Sequence, residues 1–434
     1  MAEQSDQFRY GANPGASVPM PGEDVPVNPY SLLGAVNDAS EIAHTGWIVF
    51  LSIVAYLCVA VAGITHRDLL LNTPVPLPVL GVDIDLTAFF LFAPIILVFI
   101  HFGLLVQHVL LARKVLEFHA ALRPLEPTER RSHPLRLELY TYNFTQSLAG
   151  ADRSPVFAAF LHAMIWLSVV ALPVLVILFI QITFLPYHDV STTWVHRILL
   201  VADIGVVIVL GVFLLRRESS FWRAFWRAVR NQPINFMLTA ALFGIVILFS
   251  FFVATIPDER LDQFTRSLNS VSKSANAAID LPPRLVFWPT ARFFEGEYDP
   301  ATGRFKSIFQ RNLVVANQDL VANKDEIEGE ATVNLRDRDL RYAILDRSDL
   351  HRADMTGAKL DRASLVGTDL RGARLGCTDF DLIDDAKSID ALCVRAIGAN
   401  FKDAKLADAD LSHAVMPGAK FEKADLAGAD MRAA

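Results

Sequence analysis

Up to residue 256 the apolar side chains of this sequence come in long runs, and from residue 335 they come singly, at every fifth position. Five runs approach or exceed the roughly 20 apolar residues that cross a bilayer: 46–65, 87–112, 157–184, 197–215 and 235–256. They lack the polar stripe of a helix on a soluble core. Backbone groups in lipid must bond within their own segment, so the runs predict five membrane-spanning helices. Pro94 and Pro173 each remove a helical donor and predict kinks in the second and third.

A period of five fits neither a helix nor a strand. Its centres are Leu335, Leu340, Leu345, Leu350, Met355, Leu360, Leu365, Leu370, Leu375 and Phe380, then Phe401, Leu406, Leu411, Met416, Phe421, Leu426 and Met431, 17 in all. Ala stands two places earlier in 12 of them. Fixed-period self-similarity marks a solenoid, and a chain that turns a corner every five residues makes a square coil. The centre and the small residue before it point inward, and the other three face water. Successive coils then bond through their backbones about 4.8 Å apart. Val333 and Arg338, where Ala is expected, predict an imperfect first coil. Phe380 and Phe401 are not a multiple of five apart, so 381–400 is expected to bulge as a loop.

The domains expected are a disordered tail at 1–28, a five-helix transmembrane domain at 29–256, a connector at 257–330 and a repeat domain at 331–434. Within the connector, two aromatic-rich arms flank Asp299-Pro300-Ala301-Thr302-Gly303, a pattern that predicts a β-hairpin cap for the column.

Charge sets the expected orientation. Seven Lys and Arg lie between the second and third runs, from Arg113 to Arg153, and five follow the fourth, from Arg216 to Arg230. The loop after the first run has Arg67, and "LPYHDVSTTWVH" after the third has none. Basic short loops stay in the cytoplasm. That places the amino terminus there and, with five crossings, the repeat domain in the periplasm of a bacterial inner membrane. Cys377 and Cys393 flank the expected loop; the alternatives are a disulfide, which that compartment favours, and two buried thiols.

Ionisable residues inside spans are functional candidates, because an unpaired charge in hydrocarbon is costly. Here they are His101, His108, His162 and Asp203. Depth along the helices pairs Asp203 with His101, whereas His101 and His108 are too far apart to share a metal. This polar pair serves either as an interhelical hydrogen bond or as a proton or ion path. In "SSFWRAFWRAVRNQ", Trp222 and Trp226 alternate with Arg223, Arg227 and Arg230, the pattern of either a membrane-interface helix or an aromatic belt.

The copies "ADLSH", "ADLAG", "ANFKD" and "TDLRG" resemble the bacterial pentapeptide-repeat proteins, whose repeat is A-(D/N)-L-x-x. The resemblance covers about 100 residues and implies a right-handed quadrilateral β-helix. Residues 29–256 also resemble a membrane module found ahead of such repeats in proteins of unassigned role, through "HRDLLLNTPVPLPVLGVDI". Some soluble members mimic DNA and bind topoisomerase, which needs an acidic column. Residues 333–434 hold 16 basic against 18 acidic side chains, so no nucleic-acid mimicry or nucleic-acid partner is expected. Phosphate-binding, dinucleotide, zinc-protease and nucleophile-elbow motifs are missing, so neither an enzyme nor a cofactor is expected. The expectation is a membrane-anchored scaffold for protein–protein interaction; the alternative is transport or ion sensing through Asp203 and His101. The last coil leaves strand edges open, and end-to-end homo-oligomerisation follows as a secondary expectation.

Overall fold

The computed structural model describes residues 28–77, 81–125, 133–151, 153–214, 226, 230, 233–264, 267, 293–294, 298–299, 304–305, 307, 309–321, 332–377 and 392–434. The chain divides into two compact units, one of residues 1–44 and 110–162 and one of 45–109 and 163–434. The expected tail at 1–28 lies outside the described residues, except for Asn28.

The long apolar runs are helices. They are α1 (Pro29–Gly63), α3 (Leu86–Leu122), α5 (Pro155–Ile165) continuing through a π-helical segment (Trp166–Ala171) into α6 (Leu172–Phe184), and α7 (Val190–Leu214). Between α1 and α3 lie a short helix, α2 (His66–Leu71), and an antiparallel pair, β1 (Val75–Leu77) with β2 (Val82–Ile84). Thr65 caps α2 by accepting from the Asp68 N–H while the Asp68 carboxylate accepts from Thr65 N–H, so both orphan donors are satisfied. A seven-residue helix, α4 (Asn143–Ala149), precedes α5.

Among the described residues four helices, not five, are long and apolar enough to cross a membrane: Pro29–Gly63, Leu86–Leu125, Pro155–Tyr187 and Val190–Gly211. The segment expected as a fifth span is α8 (Pro233–Leu248), whose end loosens into a π segment (Phe249–Val253). The chain leaves the helix at Ala254, so the apolar helix Thr239–Val253 is shorter than the others. The sidedness inferred from an odd number of crossings loses its basis with that count.

In the smaller unit, Asn37 on α1 accepts from Tyr140 N–H and donates to Glu138 O, so its amide extends the backbone pattern of the 133–142 segment. Ser40 and Thr145 share a hydrogen bond of 2.7 Å, both fully buried. Burial pushes the Tyr142 hydroxyl well above its ordinary pKa.

The larger unit carries the square coil. Each repeat touches the coil above it at the residue before the centre, with its parallel partner 20 residues on, as in Asp339 with Lys359 and Ile344 with Ser364. Backbone bonds run both ways between coils, such as Leu345 N–H to Ser364 O and Ser364 N–H to Ala343 O, both 2.8 Å. A corner follows each centre: Ala343 N–H bonds back to Leu340 O, and Tyr342 between them has φ +60°, the geometry of a turn with a left-handed third residue. At Gly367 that conformation, φ +66°, costs nothing, and a Cβ there would stand 3.2 Å from the Arg347 side chain. The Asp or Asn before the centre has its own task. Asp339, Asp349, Asp369, Asn400 and Asp410 each accept the N–H two residues on, pinning the start of the corner.

Inside, the centres from Leu335 to Leu375 and from Phe401 to Leu411 are fully buried, as are the small residues Ala343, Ala353, Ala363 and Ala404 beside them. Burial weakens in the last coil, where Met416, Phe421 and Leu426 are partly covered and Met431 is 41% exposed.

Three boundaries differ from expectation. The column starts before residue 331: Val314 pairs with Ile344 and Asp319 with Asp349, and Leu313, Val315, Leu320 and Val321 are buried. These two sides were read as connector because the partner is 30 residues on rather than 20, which breaks the beat. The coil also resumes before the end of the loop expected at 381–400, of which 381–391 lie outside the described residues. Lys359 pairs with Arg395 and Ser364 with Asn400, so the coil has resumed by Arg395. Finally, the first described centre after Leu375 is Ala396, fully buried; Phe380, expected as a centre, lies outside the described residues. The expected hairpin is present as β3 (Tyr298–Asp299) antiparallel to β4 (Arg304–Phe305), with its turn outside the described residues.

Candidate functional site

Two clusters of buried polar groups in the larger unit stand out from an otherwise apolar interior. The first lies among the helices, and two prolines create it. A helical carbonyl normally accepts the N–H four residues on, and proline has none. Pro173 therefore frees Val169 O, and the π segment answers with Leu172 N–H reaching back to Leu167 O. His101 from α3 fills the gap, its Nε2 2.9 Å from Val169 O. Pro94 likewise frees Phe90 O, and His196 from α7 fills it, Nε2 at 2.7 Å.

Since a carbonyl only accepts, each of these Nε2 atoms carries a hydrogen. The other nitrogen of His101 faces Asp203, Nδ1 to Oδ1 2.6 Å, with both side chains 1% exposed or less. Phe50 of α1 stacks on the imidazole, ring centres 5.5 Å apart, and Trp47 donates to Ser168 one residue before the freed carbonyl. Asp203 Oδ2 and His196 Nδ1 are buried without a hydrogen-bond partner.

Of the other intramembrane candidates, His108 is buried with Nδ1 2.8 Å from Leu104 O, and His162 is exposed and bonded to Ala158 O. Among the described residues no group of three or more His, Cys, Asp or Glu could hold a metal. Trp222, Arg223 and Arg227 lie outside the described residues; Trp226 and Arg230 are helical and exposed.

The second cluster joins the helix ends to the base of the column. The segment Ile256–Asp262 places three carboxylates in three directions. Glu259 takes a bidentate pair from fully buried Arg197 of α7, at 2.6 and 3.0 Å, and the guanidinium stands 5.2 Å over the Trp194 ring. Asp262 pairs with Arg311 at 2.8 Å, and Asp258 accepts from the Tyr342 hydroxyl at 2.8 Å. The first coil meets the segments after α1 and α6 as well. His66 Nδ1 accepts the otherwise unpaired edge N–H of Val314 at 3.1 Å, and Arg338 donates to Leu69 O at 2.9 Å.

Arg338, read from sequence as a flaw in the first coil, is thus a contact. Burial lowers the Arg338 pKa from its ordinary value, against the pull of Tyr187 and Asp339. Burial pushes the His66 imidazole down to about 4. Burial works to raise the Asp339 carboxyl, but His188 and Arg341 hold it well below the usual carboxylate range. His188 also donates Nε2–H to Arg311 O at 2.9 Å.

Neither Arg197 nor His196 stood out in the sequence, being placed at or outside the edge of a span. The readable signal was a proline inside each of two apolar helices, since each leaves a carbonyl that needs a donor from elsewhere. Cys377 and Cys393 are bonded, 2.00 Å between sulfurs.

No curated protein matches the chain. Solved structures similar to it include HetL of the cyanobacterium Nostoc, a pentapeptide repeat protein involved in heterocyst differentiation regulation, at 25% identity and TM-score 0.17, over 27% of this chain and 44% of HetL. Rfr23 of the cyanobacterium Cyanothece is similar at 20% identity and TM-score 0.14, over 27% and 80% of the two chains. A protein of the Arabidopsis thaliana thylakoid lumen is similar at 22% identity and TM-score 0.14, over 26% and 65%. This chain spans less than half the length of HetL. Residues 334–372, 348–382 and 397–432 match the family described as pentapeptide repeats, in eight copies, so that this part of the chain is a pentapeptide-repeat region, a right-handed β-helix that follows a region of apolar helices.

Proposed function

We propose that this protein is a membrane-anchored, non-enzymatic scaffold whose β-helix presents its flat sides to a partner protein. The observation that carries this reading is the fixed base of the column. His66, Leu69, Tyr187, His188 and Asp258 all come from segments at helix ends, and all hold the first coil by side-chain or carbonyl contacts. A column on a loose tether would need none of them. Held this way, its sides keep a constant orientation to the bilayer, which suits a docking platform.

The same contacts support an orientation that does not depend on counting crossings. The segments that touch the column, after α1 and after α6, are the stretches poor in Lys and Arg, while in the sequence the basic stretches precede α5 and follow α7. The column then stands outside the cytoplasm, in the periplasm if the membrane is a bacterial inner membrane, and the bonded Cys377 and Cys393 suit that compartment.

Labelling of Lys423→Cys with a membrane-impermeant maleimide in intact cells tests the orientation; protection of that exposed position until the cells are lysed would reverse it. Photo-crosslinkers at one exposed position on each of the four sides test the scaffold. A discrete adduct from one side in living cells is the expected result, and four silent sides would remove the reading.

A further inference from the structure

We propose that His101 and Asp203 form a proton-binding clasp, in which one exchangeable proton holds α3 and α7 together beside the π segment. This goes beyond the scaffold reading and does not rest on it. Val169 O, which Pro173 frees, fixes a hydrogen on His101 Nε2. With Nε2 committed, Nδ1 and Asp203 Oδ1 at 2.6 Å have one proton between them. It is drawn equally well as imidazolium with carboxylate or as imidazole with carboxylic acid.

Removing that proton to water leaves a neutral imidazole, a carboxylate, and two lone pairs facing each other. The pair then carries one net negative charge among hydrocarbon side chains, with both residues 1% exposed or less. An unpaired buried charge of this kind costs several kcal/mol, and the available relief is separation of the two helices. The clasp therefore closes with one proton and opens with none.

The surroundings match a single-site device. From α1 come the Phe50 ring, stacked on the imidazole, and the Trp47 indole, neither of which titrates. The π segment offers the Val169 carbonyl and Ser168. On α3 the nearest titratable neighbour is His108, whose Nδ1 is held to Leu104 O. On α7 they are His196, two turns away with Nε2 held to Phe90 O, and Arg197, neutralised by Glu259. His196 resembles His101 in taking a proline-freed carbonyl, yet its Nδ1 faces no carboxylate.

The test is hydrogen exchange of full-length protein in lipid nanodiscs, compared at about pH 5 and about pH 9 after correction for intrinsic rate. In the wild type, protection of the α3 segment around His101 and the α7 segment around Asp203 is expected to fall at least tenfold at the higher pH, while α1 stays unchanged. Asp203→Asn places a neutral amide that can donate to Nδ1, and His101→Gln can still reach both partners. Either variant is expected to abolish the pH response, and His162→Gln is expected to keep it. A flat wild-type profile would overturn the clasp, whatever the variants do. So would an undiminished response in either folded variant.

Discussion

The Arg338 guanidinium stands over the Tyr187 ring, 4.0 Å from its centre, and donates to Leu69 O at 2.9 Å. A stacked cation at a desolvated site is worth about 2 kcal/mol, and a hydrogen bond from a charged donor adds about 1.5–3. Truncation by Arg338→Ala is expected to lower exchange protection at Val314–Leu320 about a hundredfold, which corresponds to roughly 3 kcal/mol. Arg338→Lys keeps charge but loses the planar stack, and should fall between the two. Tyr187→Phe keeps the ring face and is expected to change little. Equal loss from all three variants would mean that general disruption, not the stack, is being read.

His66 predicts an acid weakness at the base of the column. Its folded pKa, pushed down to about 4 by burial, lies below the value of roughly 6.5 for a free imidazole. The docked state thus favours neutral His66, which alone can accept the Val314 N–H. The stability this contributes is complete above about pH 6.5 and is lost as pH falls towards about 4, by roughly 3 kcal/mol at most. Asp339 is shifted down as well, so its contribution is present above the ordinary carboxylate value of about 3.9 and is lost only as pH falls below it. Protection of the first coil, followed from about pH 7 to about pH 4, should decline in the wild type. It should stay level in His66→Gln, whose amide oxygen can accept the same N–H without titrating.

These contacts were only partly legible in the sequence. The inward ladder was readable because one residue type recurs at a fixed step, and Asp203 with His101 because depth along a helix is countable. The sides at Val315 and Leu320 were not, since an extra ten residues hide their register with Leu345 and Leu350. The base contacts of Arg338, His66 and Tyr342 join stretches far apart in the chain, and no period connects them. Arg338 broke the repeat pattern because its side chain serves a different neighbour. In the helices, Pro94 and Pro173 were legible as kinks, but the consequence for Phe90 O and Val169 O needs the partner histidines in place.

Burial along the column predicts a gradient in mutational cost. Leu365 is fully buried between coils on both sides, and its replacement by Ala should cost about 2–5 kcal/mol. Leu426 sits in the last coil and is only partly covered, so the same change there should cost clearly less, about 1 kcal/mol. In a stacked array each coil leans on its neighbours, so Leu365→Ala should also loosen the coils beyond it. Pulse proteolysis across a denaturant series reads both effects. A cost at Leu426 matching that at Leu365 would contradict the gradient.

Cys377 and Cys393 stand at equivalent places, each two residues past where a centre would be, and across their bond the coil partners are 36 residues apart, as in Lys359 with Arg395. Deleting 378–393 joins Cys377 to Val394 and brings Arg395 to 20 residues from Lys359, the spacing found between the other consecutive coils from Asn334 on. With Cys377→Ser added, the shortened protein is expected to keep its β-helix and to ignore reductant. The parent should lose about 3 kcal/mol on reduction, the loop-closure value for some 15 residues. Ala396→Asp supplies the complementary test, because it buries a carboxylate at a fully enclosed centre and should unravel the coils that follow. If the deletion unravelled them and Ala396→Asp did not, the side after Leu375 would be centred on another residue, and the register across the disulfide would have to be redrawn.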